Sequence, residues 1–175
     1  MVFMRNKNLS AELFVVCLFF CSIACFLSAE WSNQENKDEM TGKVVKIAFS
    51  KDSSPSTPMS FPYQNITGNI FVGKNDTNEF VTFGFSEQPN LLNIELQPNM
   101  NIIKTRIKWD DKVEDVKLVQ KWGDKFLHFS DSKSAIKKIM SSKEVLLELD
   151  WYGSGRVYFK FDLSGASEAI ANIRK

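Results

Sequence analysis

The stretch of sequence that decides the fold covers residues 102–129 and reads IIKTRIKWDDKVEDVKLVQKWGDKFLHF. Its first part alternates, with one side formed by Ile103, Thr105, Ile107 and Trp109 and the other by Ile102, Lys104, Arg106 and Lys108. This period of two predicts a β-strand with one apolar face and one mostly basic face. Asp-Asp-Lys at 110–112 and Trp-Gly-Asp at 122–124 have turn composition, so the stretch is predicted to form three antiparallel strands.

Sequence patterns on both sides of this stretch extend the predicted sheet. Apolar runs at 70–72 and 80–85 flank a polar turn at 74–78, and runs at 145–149 and 157–161 flank a glycine-containing turn, so each pair predicts a hairpin. Helical spacing follows Asp131 or Ser132 as a cap, and again follows Ser164. The predicted fold class is mainly β (α+β), either an antiparallel β-sandwich or a strongly bent sheet with two short helices.

The domain organisation predicted from the sequence is a leader followed by one folded unit. Residues 30–66 are expected to form an irregular N-terminal segment with one strand at 44–49, because Ser, Asp and Pro dominate the loop after it. Residues 67–175 are expected to form the β-rich part of the same unit. About 145 residues can bury a sufficient core without disulfides.

Residues 1–29 are predicted to be a signal peptide. Arg5 and Lys7 precede an apolar run at 13–29 that ends in small residues, and a strongly polar segment follows. The protein is therefore expected to be periplasmic or secreted. Two alternatives stay open: an uncleaved N-terminal anchor, and a lipoprotein acylated on Cys25 after a degenerate recognition box.

The cysteines and charges limit what the mature domain can do. All three cysteines (Cys17, Cys21 and Cys25) lie in the leader, so the domain is expected to have no disulfide, thiolate metal site or cysteine nucleophile. Of 22 basic and 21 acidic residues, the leader holds two basic and one acidic, leaving 20 of each. This balance disfavours nucleic acid and anionic membranes as partners. Membrane contact is expected only through an uncleaved or lipidated N-terminus.

No catalytic residue, metal site or cofactor is predicted. His128 is the one histidine, and it shares a strand face with Phe126, so a half-buried structural role is expected. The acidic group at 110–115 is explained by a turn at Asp110 and Asp111 and by a solvated strand face at Glu114 and Asp115.

A candidate binding surface is nevertheless visible. The basic face of the central strand carries Lys104, Arg106 and Lys108, and Trp122 beside a glycine is expected nearby at the surface, whereas Trp109 and Trp151 are expected in the core. A buried ion pair between Arg106 and an acid such as Asp162 would remove this surface. The expected partner is a protein of the cell envelope.

Several short motifs occur together along the chain. They are Trp31 with Asp38-Glu39-Met40-Thr41, Arg106-Ile107-Lys108-Trp109-Asp110, Phe126-Leu127-His128-Phe129 before a helix, and Phe161-Asp162-Leu163-Ser164-Gly165-Ala166. In this order they resemble small exported bacterial proteins of the TagO or VasI type, which accompany type VI secretion clusters. The resemblance implies a β-rich periplasmic accessory protein, and no catalytic residue follows from it. One departure is that Val72-Gly73 stands where such proteins often carry a cysteine.

The function expected from the sequence is that of an exported accessory or binding protein of the bacterial envelope, associated through the resemblance with type VI secretion. An envelope immunity or inhibitor protein is a special case of this hypothesis. The alternative is a small exported hydrolase of cell-wall or sugar substrates. It requires a cleft with two carboxyl groups about 5 to 9.5 Å apart and a raised pKa on at least one of them.

Overall fold

The computed structural model describes residues 31–175, so the predicted signal peptide at 1–29 lies outside the described residues. The described chain is mostly antiparallel β-structure with two helices, as the sequence predicts. The elements in chain order are β1 (Trp31–Lys37), β2 (Val44–Ser50), β3 (Gly68–Lys74), β4 (Glu79–Phe85), β5 (Ile94–Gln97), β6 (Met100–Trp109), β7 (Lys112–Lys121), β8 (Phe126–Phe129), α1 (Ser132–Ser141), β9 (Glu144–Trp151), β10 (Gly155–Asp162) and α2 (Ala166–Arg174).

The ten strands form one sheet, in which nine strands follow the order β1-β2-β3-β4-β8-β7-β6-β9-β10 and β5 pairs with β6 off this path. β7 occupies one edge of β6 along its whole length. The opposite edge is shared, because β5 pairs with residues 100–103 and β9 pairs with residues 107–109. β6 and β7 are therefore interior strands of the sheet.

The sheet is strongly bent, and its two ends approach each other. The Trp31 indole Nε1 at the start of β1 donates to the Asp162 carbonyl at the end of β10, at 3.1 Å. The loop after β2 connects to the same strand, since Ser53 Oγ donates to the Lys160 carbonyl at 2.6 Å and the Ser56 amide donates to the Tyr158 carbonyl at 2.8 Å. A single sheet whose two ends meet agrees with the predicted antiparallel sandwich or strongly bent sheet.

The concave side of the sheet holds an aromatic core. Phe83 stacks on Phe161 with ring centroids 5.4 Å apart, and Phe85 meets Phe159 edge-on at 5.2 Å. Trp151 is completely buried beside them, and the apolar faces of α1 and α2 pack onto this core. Burial of Trp109 and Trp151 confirms the predicted core positions of these two residues.

The hairpins predicted from alternation are confirmed. β6 and β7 pair from Met100↔Lys121 to Trp109↔Lys112, and the turn between them places Asp110 in the left-handed region at φ 51°. The Asp110 carboxylate accepts the backbone N–H groups of Lys143 and Glu144, which agrees with its predicted turn role. β3 pairs with β4 and β9 with β10 in the same antiparallel manner.

Three details of the sequence prediction are wrong. Residues 30–66 contain two strands and not one, because β1 is almost entirely polar and exposed and so lacks the alternation that identifies a strand. The four-residue β5 was not expected either. Ser164 does not cap α2: Gly165 holds the N-cap position at φ 86°, while the Ser164 amide donates to the Asp162 carboxylate at 2.7 Å.

Within residues 31–175, neither helix has the length and apolar character needed to cross a lipid bilayer.

Candidate ligand-binding site

The predicted basic face is not a patch of positive charge. Arg106 donates to both Glu148 oxygens, at 2.9 and 2.6 Å, and Lys104 pairs with Glu95 at 2.9 Å. The hydrogen bonds from Arg106 hold the pKa of Glu148 below its ordinary value. Acids on β5 and β9 thus pair with two of the three bases of β6, Lys104 and Arg106, which the sequence of β6 alone could not show.

The partner of Arg106 is Glu148 and not the suggested Asp162, and the Arg106 side chain remains half exposed. The face therefore stays accessible, but its charges are matched in place. Lys108 projects from the same side of β6, four residues further along than Lys104. Direct attraction of an acidic partner by these three side chains is weakened accordingly.

Trp122 is exposed, as predicted, but it does not lie beside the basic side chains. Its backbone N–H donates to the Asn99 carbonyl, and its indole Nε1 donates to Asn101 Oδ1 at 3.1 Å. Asn101 and Arg106 are five residues apart on an extended strand, a separation of about 17 Å. The register explains this, because the end of β7 opposes the start of β6.

Next to Trp122 the structure contains a cavity of about 610 Å³. Three segments of the chain build its wall, namely the loop before β3, the loop between β4 and β5, and the adjoining parts of β5, β6 and β7. The lining residues are Pro62, Tyr63, Glu87, Gln88, Pro89, Asn90, Leu91, Ile94, Asn101 and Gln120. The volume lies within the range usual for small-ligand sites.

Gln120 anchors the floor of this cavity. It is a buried polar residue with 3% of its surface exposed, and its amide Nε2 donates to the carbonyls of Asp124 at 2.9 Å and Pro89 at 3.4 Å. Its Oε1 accepts from Asn101 Nδ2 at 3.2 Å. The carbonyls can only accept and the Trp122 indole can only donate, so the orientation of both amides is fixed.

Three other polar side chains of the wall remain available. Within the part of the chain that the structure describes, the side chains of Glu87, Gln88 and Asn90 make no hydrogen bond or ion pair, and all three residues are exposed. The cavity thus combines a preorganised floor with polar groups whose hydrogen-bonding capacity is unused. Such groups fix the orientation of a ligand in small-molecule sites.

Several large exposed apolar side chains belong to residues that adjoin the lining of the cavity. Seven large hydrophobic side chains are exposed in residues 31–175, and five of them adjoin a lining residue. These five form what we call the apolar rim: Phe61, Leu92, Leu96, Trp122 and Tyr152. The other two are Met40 and Val113, which have no such relation to the cavity.

Each member of the apolar rim is joined to the wall. Phe61 and Leu92 are chain neighbours of Pro62 and Leu91. Leu96 and Trp122 both contact the wall through Asn101, by strand pairing and by the indole hydrogen bond. The Tyr152 amide donates to the Asn90 carbonyl at 2.9 Å. Clustering of exposed apolar side chains is a mark of an interaction site.

His128 has the half-buried position expected for it and lies on the same face of β8 as Phe126, with ring centroids 6.4 Å apart. Desolvation lowers its pKa below the ordinary value of 6.5, and Lys121 adds to this, while Asp124 opposes it. In the described residues no group of three or more His, Cys, Asp or Glu side chains has a metal-binding arrangement.

The hydrolase hypothesis needs two acids in one cleft and a raised pKa on one of them, and a smaller cavity of about 230 Å³ is lined by Glu114, Asp115 and Asp131. The large cavity contains one acid, Glu87. Burial raises the pKa of Glu114, but hydrogen bonds from Lys138 and Trp109 outweigh it, and the pKa lies below its ordinary value. Glu114 is partly buried beside Trp109, so of the predicted solvated pair only Asp115 is exposed. The pKa is also lowered for Asp38, Glu79, Glu95, Glu148 and Asp162.

Sequence reasoning identified Trp122 and missed the rest of the site, because the wall comes from loops whose polar composition carries no periodic signal. The one available signal was Gln120, a polar residue on the core side of a strand pattern. No protein-family model, curated protein or solved structure matches this chain.

Proposed function

We propose that this chain is an exported binding protein of the bacterial envelope that holds its ligand at the 610 Å³ cavity without altering it chemically. The observation that carries the proposal is the apolar rim, which gathers five of the seven exposed large hydrophobic side chains of residues 31–175 around a polar wall. Solvent exposure of such side chains costs about 25 cal/mol per Å², which a bound ligand recovers.

Three features support binding over catalysis. Apart from the Glu87 carboxylate and the Tyr63 hydroxyl, the polar side chains of the cavity are amides, which form hydrogen bonds but do not act as acids or bases near neutral pH. The single acid, Glu87, has no second carboxylate in the wall to act with it. The sequence also resembles accessory proteins of type VI secretion clusters. Within the proposal, that association and an inhibitor or immunity role are particular forms of envelope binding.

The experiment uses a photoactivatable residue at the rim in cells of the source organism. Phe61 or Leu96 is replaced by p-benzoylphenylalanine in the full chain, the cells are irradiated, and the periplasmic fraction is analysed by gel shift and intact mass. We expect crosslinked adducts from both positions. The mass of the uncrosslinked chain also reports export, since removal of residues 1–29 leaves Glu30 as the first residue.

The matched controls place the same photoactivatable residue at Met40 or Val113, which are exposed apolar positions away from the cavity. We expect no adduct from these two positions. Adducts at the controls but not at the rim would move the binding surface elsewhere, and recovery of the whole chain from the cytosol with Cys17 retained would refute export.

A further inference from the structure

We propose that the ligand of this cavity is a neutral oligosaccharide, with its hydroxyl groups on the amides of the wall and its C–H faces on the aromatic rings of the rim. This inference rests on the proposed function, since it names the chemical class of the ligand at the same site. Three observations favour a neutral oligosaccharide: the wall has no positively charged side chain, several amide side chains line it, and aromatic rings are exposed at the rim.

The charge of the wall argues against an anionic ligand. No lysine, arginine or histidine is among the lining residues, and Glu87 supplies one negative charge. Phosphate and carboxylate groups are normally held by Arg, Lys or a row of backbone N–H groups. A phosphorylated or acidic ligand would therefore meet repulsion from Glu87 without a compensating cation.

The amides of the wall match the hydrogen-bonding character of hydroxyl groups. Gln88, Asn90 and Asn101 each present a carbonyl acceptor beside amide donors. A sugar hydroxyl donates one hydrogen bond and accepts others, so it can satisfy both atoms of one amide. Asn101 uses one of its N–H groups on Gln120 and keeps the second for a ligand.

Aromatic rings at the rim can make the apolar contacts that the C–H faces of a sugar require. Phe61, Trp122 and Tyr152 are 84%, 61% and 63% exposed. Such rings offer flat apolar faces that cover the C–H surfaces of a pyranose ring. The Trp122 ring is held by its indole hydrogen bond to Asn101, whose own orientation is set by Gln120. A ring fixed in advance loses little rotamer entropy on binding.

A peptide ligand would also use amides, but the surroundings of the cavity favour a sugar. Every exposed aromatic side chain among the large hydrophobics of residues 31–175 belongs to the apolar rim. Among the strands that adjoin the wall, β5 pairs with β6 on one side only, and its four residues offer too short a free edge for an added peptide strand. Binding of an extended peptide is therefore kept as an outcome of the test.

The test probes the exported chain, purified from the periplasm, against an array of neutral and anionic oligosaccharides, and measures the best neutral hit by calorimetry and by tryptophan fluorescence. We expect binding to neutral sugars, about tenfold weaker binding after Trp122→Ala, and unchanged binding after Val113→Ala. Asn90→Ala is a second cavity variant that leaves the core untouched, and it should weaken binding as well.

The outcomes separate this inference from the proposed function. If the rim crosslinks form but no neutral sugar binds, or if an anionic sugar or a crosslinked polypeptide is the ligand, the glycan inference is overturned and the binding function stands. If Trp122→Ala and Val113→Ala weaken sugar binding equally, the sugar does not bind at this cavity, and the inference is overturned. If no adduct forms at the rim, the proposed function itself fails.

Discussion

At the scale of single residues, Gly73 shows how closely an aromatic ring can cover a strand. A Cβ atom added at Gly73 would lie 2.0 Å from the ring of Phe80, its partner on β4. The ring must move aside to admit even one methyl group. We therefore expect Gly73→Ala to lower the free energy of unfolding by about 1–3 kcal/mol, measured by urea denaturation.

The control for this prediction is the same substitution in a Phe80→Ala background. Without the ring, the steric cost disappears, and the better strand propensity of alanine should leave the substitution neutral or stabilising by about 0.5 kcal/mol. An equal loss in both backgrounds would show that the ring is not the cause. The sequence could not reveal this contact, because it depends on the register between β3 and β4.

At the scale of secondary-structure elements, the sequence predicts those that carry their own pattern. β6 alternates over residues 103–109 and β10 over residues 157–162, so each buries one face whatever its neighbours are. β1 has no such pattern. It is held by the Trp31 indole on Asp162 and by Asn33 Nδ2 on the Ala169 carbonyl, contacts more than 130 residues apart in sequence.

The start of α1 gives a testable case, because Asp131 and Ser132 were both possible caps. The structure selects Asp131, whose carboxylate accepts the Ser134 amide at 3.0 Å, while Ser132 Oγ accepts the Val81 amide of β4. We expect Asp131→Ala to reduce the free energy of unfolding by about 1 kcal/mol in thermal or urea unfolding.

Asp131→Asn is the matched variant, since an asparagine side chain accepts the same N–H group without the charge. It should retain most of the stability. A loss as large as that of Asp131→Ala would mean that the charge near the helix N-terminus, and not the capping hydrogen bond, is what stabilises α1.

At the scale of the whole molecule, the curvature of the sheet assembles the candidate site. Tyr63, Asn90 and Gln120 reach one cavity only because the loops before β3 and after β4 meet the β5–β6 end of the same sheet. Nothing in the spacing of these three residues along the sequence predicts that they line one cavity. The sequence indicated only Trp122, because a surface position can be predicted for a tryptophan from the turn glycine next to it.

Four carboxyl groups with a lowered pKa, three of which join separate elements, make the whole fold sensitive to acid. They are Glu79 with Arg174, Glu114 with Lys138, Glu148 with Arg106, and Asp162 with Ser164. In each case the pKa lies below its ordinary value, with hydrogen bonds to the charged form lowering it against the opposing effect of burial. The unfolded chain therefore binds protons at a higher pH than the folded chain does.

Because the unfolded chain binds these protons at a higher pH, acid destabilises the folded chain. The carboxylate contribution to stability is complete above the ordinary glutamate pKa of 4.5 and is lost as the pH falls through the lower folded values. Burial also lowers the pKa of His128, so the stability that neutral His128 contributes begins to be lost at a higher pH, as the pH falls below about 6.5.

The His128→Gln variant removes this contribution. We expect its free energy of unfolding, measured with urea, to be constant above about pH 5.5 and to decline at lower pH. Adding Glu148→Gln should make that decline shallower, and an unchanged slope would show that the Arg106–Glu148 pair adds nothing to the acid sensitivity of the sheet.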